Sequence, residues 1–186
     1  MGARTAEYYP HYTYDDYRLW EGDWELIYGI PYAMAPAPMI KHQIISNKIA
    51  RFLDERLETC ETCKALLPVD WKISDDTVVQ PDNLVICHRE REEAYLTQAP
   101  QLIFEILSKA TALKDQRLKY ELYEREGVRY YVIVDPQSEV AKVYQLNREG
   151  RYKKLCDAHH ETVRFELDGC AFDFAFSNIW PKEGEV

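Results

Sequence analysis

Two acidic residues stand where an ionised carboxylate is costly. In "VVQPDNLVICH", residues 78–88, Asp82 follows a proline at the head of an apolar run, and in "LIFEILSKAT", residues 102–111, Glu105 lies inside a second one. Side chains alternate across a strand, so a strand through this segment puts Leu102, Phe104 and Ile106 on one face and Ile103, Glu105 and Leu107 on the other. Glu105 then shares its face with apolar neighbours, and a charge left there is destabilising unless a partner, a metal or a proton compensates it. Asp82 by itself has a plainer reading: Pro81 withholds a backbone donor and suggests an edge or bend, where an aspartate is a turn residue facing water. Only 23 residues (105 − 82) separate the two, so their carboxylates converge if the two strands are neighbours in one sheet. Converging carboxylates repel unless a cation sits between them, and hard divalent ions such as Mg²⁺ or Mn²⁺ take one or two carboxylates plus water and substrate phosphates.

The elements that would position this pair are readable around it. "TYDD" at 13–16 is a capping-box pattern for a short helix, and "WELIYG" and "IPYAMA" read as two strands turned around Gly29. From about Ile40 to Leu57, apolar residues at Ile44, Ile45, Ile49, Phe52, Leu53 and Leu57 recur with helical spacing, predicting one long amphipathic helix. Short apolar runs in "KALLPVDWKI", "TVVQPDNLVICH" and "PQLIFEIL" predict the central strands. A second helix is expected from about Leu113 to Arg125, ending at Gly127. "VRYYVIVD" predicts another strand, and "EVAKVYQL", "RYKKLC" and "TVRFEL" a β meander beyond the Asp135–Ser138 turn. The layout is α+β with a mixed sheet.

At 186 residues, with 46% hydrophobic and 30% charged side chains, the chain fits one domain and can bury a core. No run approaches the roughly 18 apolar residues of a membrane span. The first residues show neither an apolar signal core nor, with Ala6 in place of a hydroxyl, a myristoylation pattern, which predicts a cytoplasmic protein. Five cysteines are an odd number for a disulfide framework, so reduced thiols are expected. Cys60 and Cys63 form one CxxC, and Cys87-His88 is conceivable as the other half of a zinc site. A single CxxC is a weak signal, however, and free cysteines commonly act as small hydrophobes, so they are read that way.

"QPD" followed by "FEIL" resembles the PD-(D/E)XK nuclease superfamily. The wider string of "WELIYG", His42, "PD", "EILSKAT" and "LKDQRLKYELYEREGVRYYVIVDP" is similar to a bacterial family of restriction-endonuclease-like proteins within it, over nearly everything from Thr13 to about Trp180. The resemblance implies a restriction-endonuclease-like fold, with a mixed central β-sheet flanked by helices, and metal-dependent phosphodiester hydrolysis. It makes Asp82 and Glu105 metal ligands, with the carbonyl of Ile106 as a third, and calls for Mg²⁺ or Mn²⁺ as cofactor. The chain departs from the superfamily at position 107, where the motif lysine is replaced by Leu107. The resemblance points instead to Lys119 on the following helix, with Lys109 as runner-up. A plainer reading makes Lys119 an exposed i,i+4 ion pair with Asp115, and the two readings stay open.

In the chemistry this implies, Lys119 orients water and offsets an oxyanion. Glu25 in "WELI" positions the lysine or a second ion, or is an edge residue facing solvent; His42 approaches the site, or is a capping or packing residue. Tyr120, Tyr123, Tyr130 and Tyr131 are read as core and interface residues without a chemical role. A formal net charge of −9 opposes tight binding of nucleic acid, and the nearest basic groupings are Lys41, Lys48 and Arg51 on the long helix and "RYKK" at 151–154. Weak, salt-sensitive contact with DNA by a homodimer is therefore expected, the alternative being an inactive module that keeps the fold for interaction with protein or nucleic acid.

Overall fold

The computed structural model describes residues 10–34, 39–88, 94–108, 112, 114–182 and 184. Helix α1 (Tyr14–Tyr17) begins as its capping pattern predicts, with the Thr13 N–H donating to Asp16 Oδ2 at 2.8 Å. Strands β1 (Trp24–Ile27) and β2 (Ile30–Ala33) form an antiparallel hairpin closed by Tyr28 and Gly29, with φ of 53° and 76°. Positive φ at both turn positions matches the right-handed twist of the strands. A side chain at Gly29 would also collide with the ring of His11.

Helix α2 (Ile40–Leu57) spans the predicted segment and buries Ile45, Ile49, Phe52, Leu53 and Leu57. Each such side chain contributes about 1.5–3 kcal/mol relative to exposure, which holds the helix where its own propensity would not. Then follow β3 (Lys64–Leu66), β4 (Asp70–Ser74), β5 (Thr77–Val79), β6 (Asn83–Ile86), β7 (Tyr95–Leu96) and β8 (Leu102–Ile106). Strands β9 (Tyr130–Asp135), β10 (Val140–Leu146), β11 (Tyr152–Ala158), β12 (Thr162–Leu167) and β13 (Cys170–Ala175) complete the chain.

The central sheet runs β11-β10-β9-β8-β6-β3 and is mixed, since β8 and β9 are parallel and the other neighbours antiparallel. A second sheet, β2-β1-β5-β4-β7, stacks Ile27, Trp71 and Val79 against Leu84, Ile103, Tyr131 and Ile133 of the central one. The opposite face of the central sheet carries Val85, Leu102, Phe104, Val132 and Val134, covered by α2 and the β12–β13 hairpin. This is the α+β architecture expected.

Five details differ from the sequence reading: to begin with, β12, expected to continue the β10–β11 meander, pairs instead with β13 in a separate hairpin. Strand β6 lies inside the sheet between β8 and β3, so Pro81 marks the start of an interior strand and not an edge. Strand β7, two residues long, is too short to leave a periodic signal. The second helix opens with a π-helical turn, Lys114–Leu118, before α3 (Lys119–Arg125). Four of the five cysteines are not scattered hydrophobes: Cys60 and Cys170, and likewise Cys63 and Cys87, stand at disulfide-bonding distance, with Cα separations of 6.1 and 4.0 Å. Among the described residues no helix is long and apolar enough to cross a membrane.

Candidate active site

The register of the central sheet decides whether the two carboxylates meet. Strands β6 and β8 pair Asn83 with Phe104 and Leu84 with Ile103, so the next position outward opposes Asp82 to Glu105. Asp82 Oδ2 accepts the Ile106 N–H at 2.7 Å, a hydrogen bond that ties the end of β8 to the residue preceding β6. Asp82 is therefore half-buried and bonded, not a turn residue facing water. Phe104 and Ile106 pack on the α2 side of the sheet, and Glu105 alternates to the other face, toward the second sheet.

On that face Glu105 joins a buried charge cluster. Glu25, Glu105, Asp115 and Lys119 are 0%, 3%, 2% and 2% exposed. Lys119 Nζ lies 2.8 Å from Glu105 Oε1, 2.7 Å from Glu25 Oε1 and 3.6 Å from Asp115 Oδ1. The surface-pair reading of Lys119 is thereby replaced by a buried one: it keeps Asp115 as an i,i+4 neighbour but reaches both sheets. Glu25 is likewise interior, because β1 runs between β2 and β5; its Oε1 accepts the Gln80 N–H at 2.9 Å and its Oε2 pairs with Lys114. Tyr123 OH donates to Glu105 Oε1 at 2.7 Å. Lys119 and Tyr123 thus share one Glu105 oxygen, and Oε2 carries no hydrogen bond among the described residues.

His42, in the first turn of α2, sits with Nε2 3.4 Å from Asp82 Oδ1, and its Nδ1 is buried without a hydrogen-bond partner among the described residues. The structure brings Asp82, Glu105, Ile106, Lys119 and His42 to one cleft of about 280 Å³, which Lys114 and Asp115 also line. Glu25 lies behind Lys119. Lys109 falls outside the described residues.

Burial divides the two glutamates. It pushes the Glu105 carboxyl well above the usual carboxylate range; Asp115, Asp82 and Glu25 add to this and Lys119 only partly opposes it. Burial acts the same way on Glu25, but Lys119 and Lys114 outweigh it and hold that carboxyl below the usual range. Burial also disfavours the Lys119 ammonium, yet Glu105, Glu25 and Asp115 prevail and raise its pKa well above that of an ordinary lysine. Glu105 is therefore the group that keeps a proton to higher pH, while Lys119 stays cationic.

Residues 14–169 match the family described as "Uma2: Putative restriction endonuclease". The chain belongs to the Uma2 family. It is 25% identical over 180 residues, 92% of this chain and 93% of its relative, to "Uncharacterized protein slr1290" of Synechocystis sp. (strain ATCC 27184 / PCC 6803 / Kazusa). Its fold is similar to that in "Crystal structure of a putative nuclease belonging to DUF820 from Anabaena variabilis ATCC 29413", with a TM-score of 0.73 at 17% identity over 90% of this chain and 97% of that one. The fold is thus restriction-endonuclease-like, and the family supports a nuclease function.

In this Uma2 chain two members of the cluster were not singled out from sequence. Lys114 is five residues before Lys119, a spacing that falls on different faces of an α-helix and is brought together by the intervening π turn, Lys114–Leu118. No local pattern announces that turn. Tyr123 was read as core, although it follows Lys119 at i+4, and that spacing was the available signal. The basic groupings are largely occupied: Lys41 pairs with Glu139 at 2.9 Å, Lys48 donates to the Trp180 carbonyl at 3.1 Å, and Arg151 pairs with Glu124 at 2.8 Å.

Proposed function

We propose that the chain is a metal-dependent endonuclease that hydrolyses phosphodiester bonds of DNA. The observation that carries this reading is the opposition of Asp82 to Glu105 across β6 and β8, with Lys119 Nζ 2.8 Å from Glu105 at the same cleft. The donor set suits a hard divalent ion: two carboxylates, with the Ile106 carbonyl at the adjoining strand end. Mg²⁺ or Mn²⁺ held there would lower the pKa of bound water and offset charge on the scissile phosphate.

The residues of the chain do the positioning. Lys119 and Tyr123 hold Glu105 through Oε1, which leaves Oε2 to serve as donor once its proton is lost. The Ile106 N–H orients Asp82. Glu25, anchored by the Gln80 N–H, keeps Lys119 aimed between the sheets, and Leu107 leaves this lysine to supply the positive charge that the superfamily places at 107. His42 is close enough to Asp82 to restrain it or to donate to a phosphate oxygen. A homodimer, which would present one such site to each strand of a duplex, belongs to the proposal.

Plasmid cleavage with Mg²⁺ or Mn²⁺, alongside calorimetric titration of Mn²⁺, tests the reading. Metal-dependent nicking that disappears in Asp82→Asn, together with loss of the Mn²⁺ isotherm, is the expected result. A second reading, an inactive module, draws on the closure of Lys119 by three carboxylates; a parent chain that binds no Mn²⁺ and cuts neither DNA nor RNA would select it. Light scattering at assay concentrations tests the dimer.

A further inference from the structure

We propose that Cys60, Cys63, Cys87 and Cys170 hold one structural Zn²⁺ as a four-thiolate site. The sulfurs of Cys60, Cys63 and Cys170 lie within 4.8 Å of one another, and that of Cys87 stands at bonding distance from Cys63. Tetrahedral zinc with Zn–S bonds of about 2.3 Å places its sulfurs roughly 3.8 Å apart, so Cys60, Cys63 and Cys170 span such a site, and Cys87 would join it by rotating its side chain away from Cys63. Cys60 and Cys63 are buried and the other two half-buried, as in a closed structural site.

Two disulfides would also join these residues, Cys60 to Cys170 and Cys63 to Cys87, and three observations favour the ion. Cys63 belongs to one pair yet its sulfur lies within 4.8 Å of those of the other, so the two pairs form one cluster within reach of a single ion. The Cys63 N–H points at Cys60 Sγ at 3.2 Å, a donor that stabilises thiolate charge on the first cysteine of a CxxC. Cys63 and Cys87 are directly opposed, since β3 and β6 pair Lys64 with Ile86, and their Cα separation of 4.0 Å is below the about 4.4–6.8 Å usual for a disulfide.

The surroundings are built to bring the fourth element in. Thr62 Oγ1, inside the CxxC, donates to the Asp168 carbonyl at 3.2 Å, which docks the CxxC turn on the β12–β13 turn and so presents Cys170. Gly169 permits this approach: its φ is +87°, and a Cβ there would lie 2.7 Å from Thr62 Oγ1. The ion would cross-link the end of α2, the end of β6 and the start of β13, at the opposite end of β6 from Asp82.

The test is zinc content. Protein produced in zinc-supplemented medium and purified under reducing conditions is expected to carry about one Zn²⁺ per chain by atomic emission, and cobalt exchange to give a thiolate charge-transfer band. Zinc should persist in Cys156→Ser and Asp82→Asn and fall roughly tenfold or more in Cys63→Ser, Cys87→Ser and Cys170→Ser. A folded, reduced parent chain with all five thiols titratable and no zinc overturns the proposal, as do two disulfides in a chain that takes up no zinc after reduction. Full zinc retention by Cys87→Ser overturns the four-thiolate set. Because the parent is measured directly, a variant that fails to fold does not shield the idea.

Discussion

The two ends of strand β6 carry clusters of opposite chemistry. Asp82 precedes the strand and meets Glu105, while Cys87 follows it and meets Cys63, five residues or about 16 Å along the same strand. The oxygen cluster is built of charges that destabilise one another and stay buried only because Lys114 and Lys119 sit among them. The sulfur cluster is built of groups that are neutral until deprotonated, so its members tolerate burial without partners and become a site only by meeting. The first cluster stores unfavourable charge that a ligand can relieve, which suits a site of action. The second adds ties between elements distant in sequence, which suits stability.

The largest expected effect falls on the oxygen cluster. Lys119→Met removes the cation between Glu25, Glu105 and Asp115 and leaves buried carboxylates uncompensated, a change that typically costs about 3–5 kcal/mol. Urea unfolding should show the loss, and adding Glu25→Gln to the variant should recover part of it. An unaltered midpoint would mean that Lys119 is exposed in solution and the comparison is wrong. DNA cleavage should fall in Lys119→Met by at least about ten- to hundredfold.

Next comes the sulfur end. Cys170→Ser opens a tie across 110 residues, and by analogy with removing a native cross-link should cost about 2–5 kcal/mol, or roughly 4–20 °C in Tm. Calorimetry of the variant should show this without changing Mn²⁺ binding at the other end of β6. Coupled losses at both ends would mean that the clusters are one unit.

Asp82→Ala sits lower on the scale. It strands the Ile106 N–H and removes the partner of His42, so the metal-free variant should lose about 1–3 kcal/mol, while Asp82→Asn should lose less. From sequence alone, relief of carboxylate repulsion predicts no loss at all in the metal-free protein; the hydrogen bond to β8 is what reverses that expectation. Mn²⁺ binding should vanish in both variants.

The pH dependence separates the two glutamates. Glu105, with a raised folded-state pKa, contributes stability that is complete below its ordinary value of 4.5 and is lost as pH rises through the raised one. Glu25, lowered, contributes above 4.5 and loses that contribution only as pH falls through its folded-state value. Metal-free protein should therefore become less stable with rising pH above 4.5, and Glu105→Gln should flatten the slope. Mn²⁺ should bind more tightly as pH rises and release protons on binding, measured by calorimetry in buffers of different ionisation enthalpy. At the bottom of the scale, Arg51→Ala breaks an exposed pair with Glu55 and should change stability by less than about 0.5 kcal/mol.

Much of this was legible in the sequence, for identifiable reasons. Helix α2 was readable because its apolar spacing is local, and the β1–β2 hairpin because Gly29 marks the turn. Asp82 and Glu105 were legible because an acid among apolar neighbours is conspicuous in a short window. With Leu107 at the motif position, the resemblance to the PD-(D/E)XK nucleases pointed to Lys119, with Lys109 as runner-up. Tertiary structure decided the rest. Whether Glu25 faces solvent depends on β5 pairing with β1, some 50 residues away, and whether Lys119 is a surface pair or a buried cation depends on two sheets stacking over it. Lys114 joined through a π turn that no side-chain period announces. Cys170 met Cys60 and Cys63 only because the β12–β13 turn docks on the CxxC loop, and a contact over more than 100 residues leaves no trace in local spacing. Local patterns record what a side chain needs; which partner supplies it is settled when distant strands choose their register.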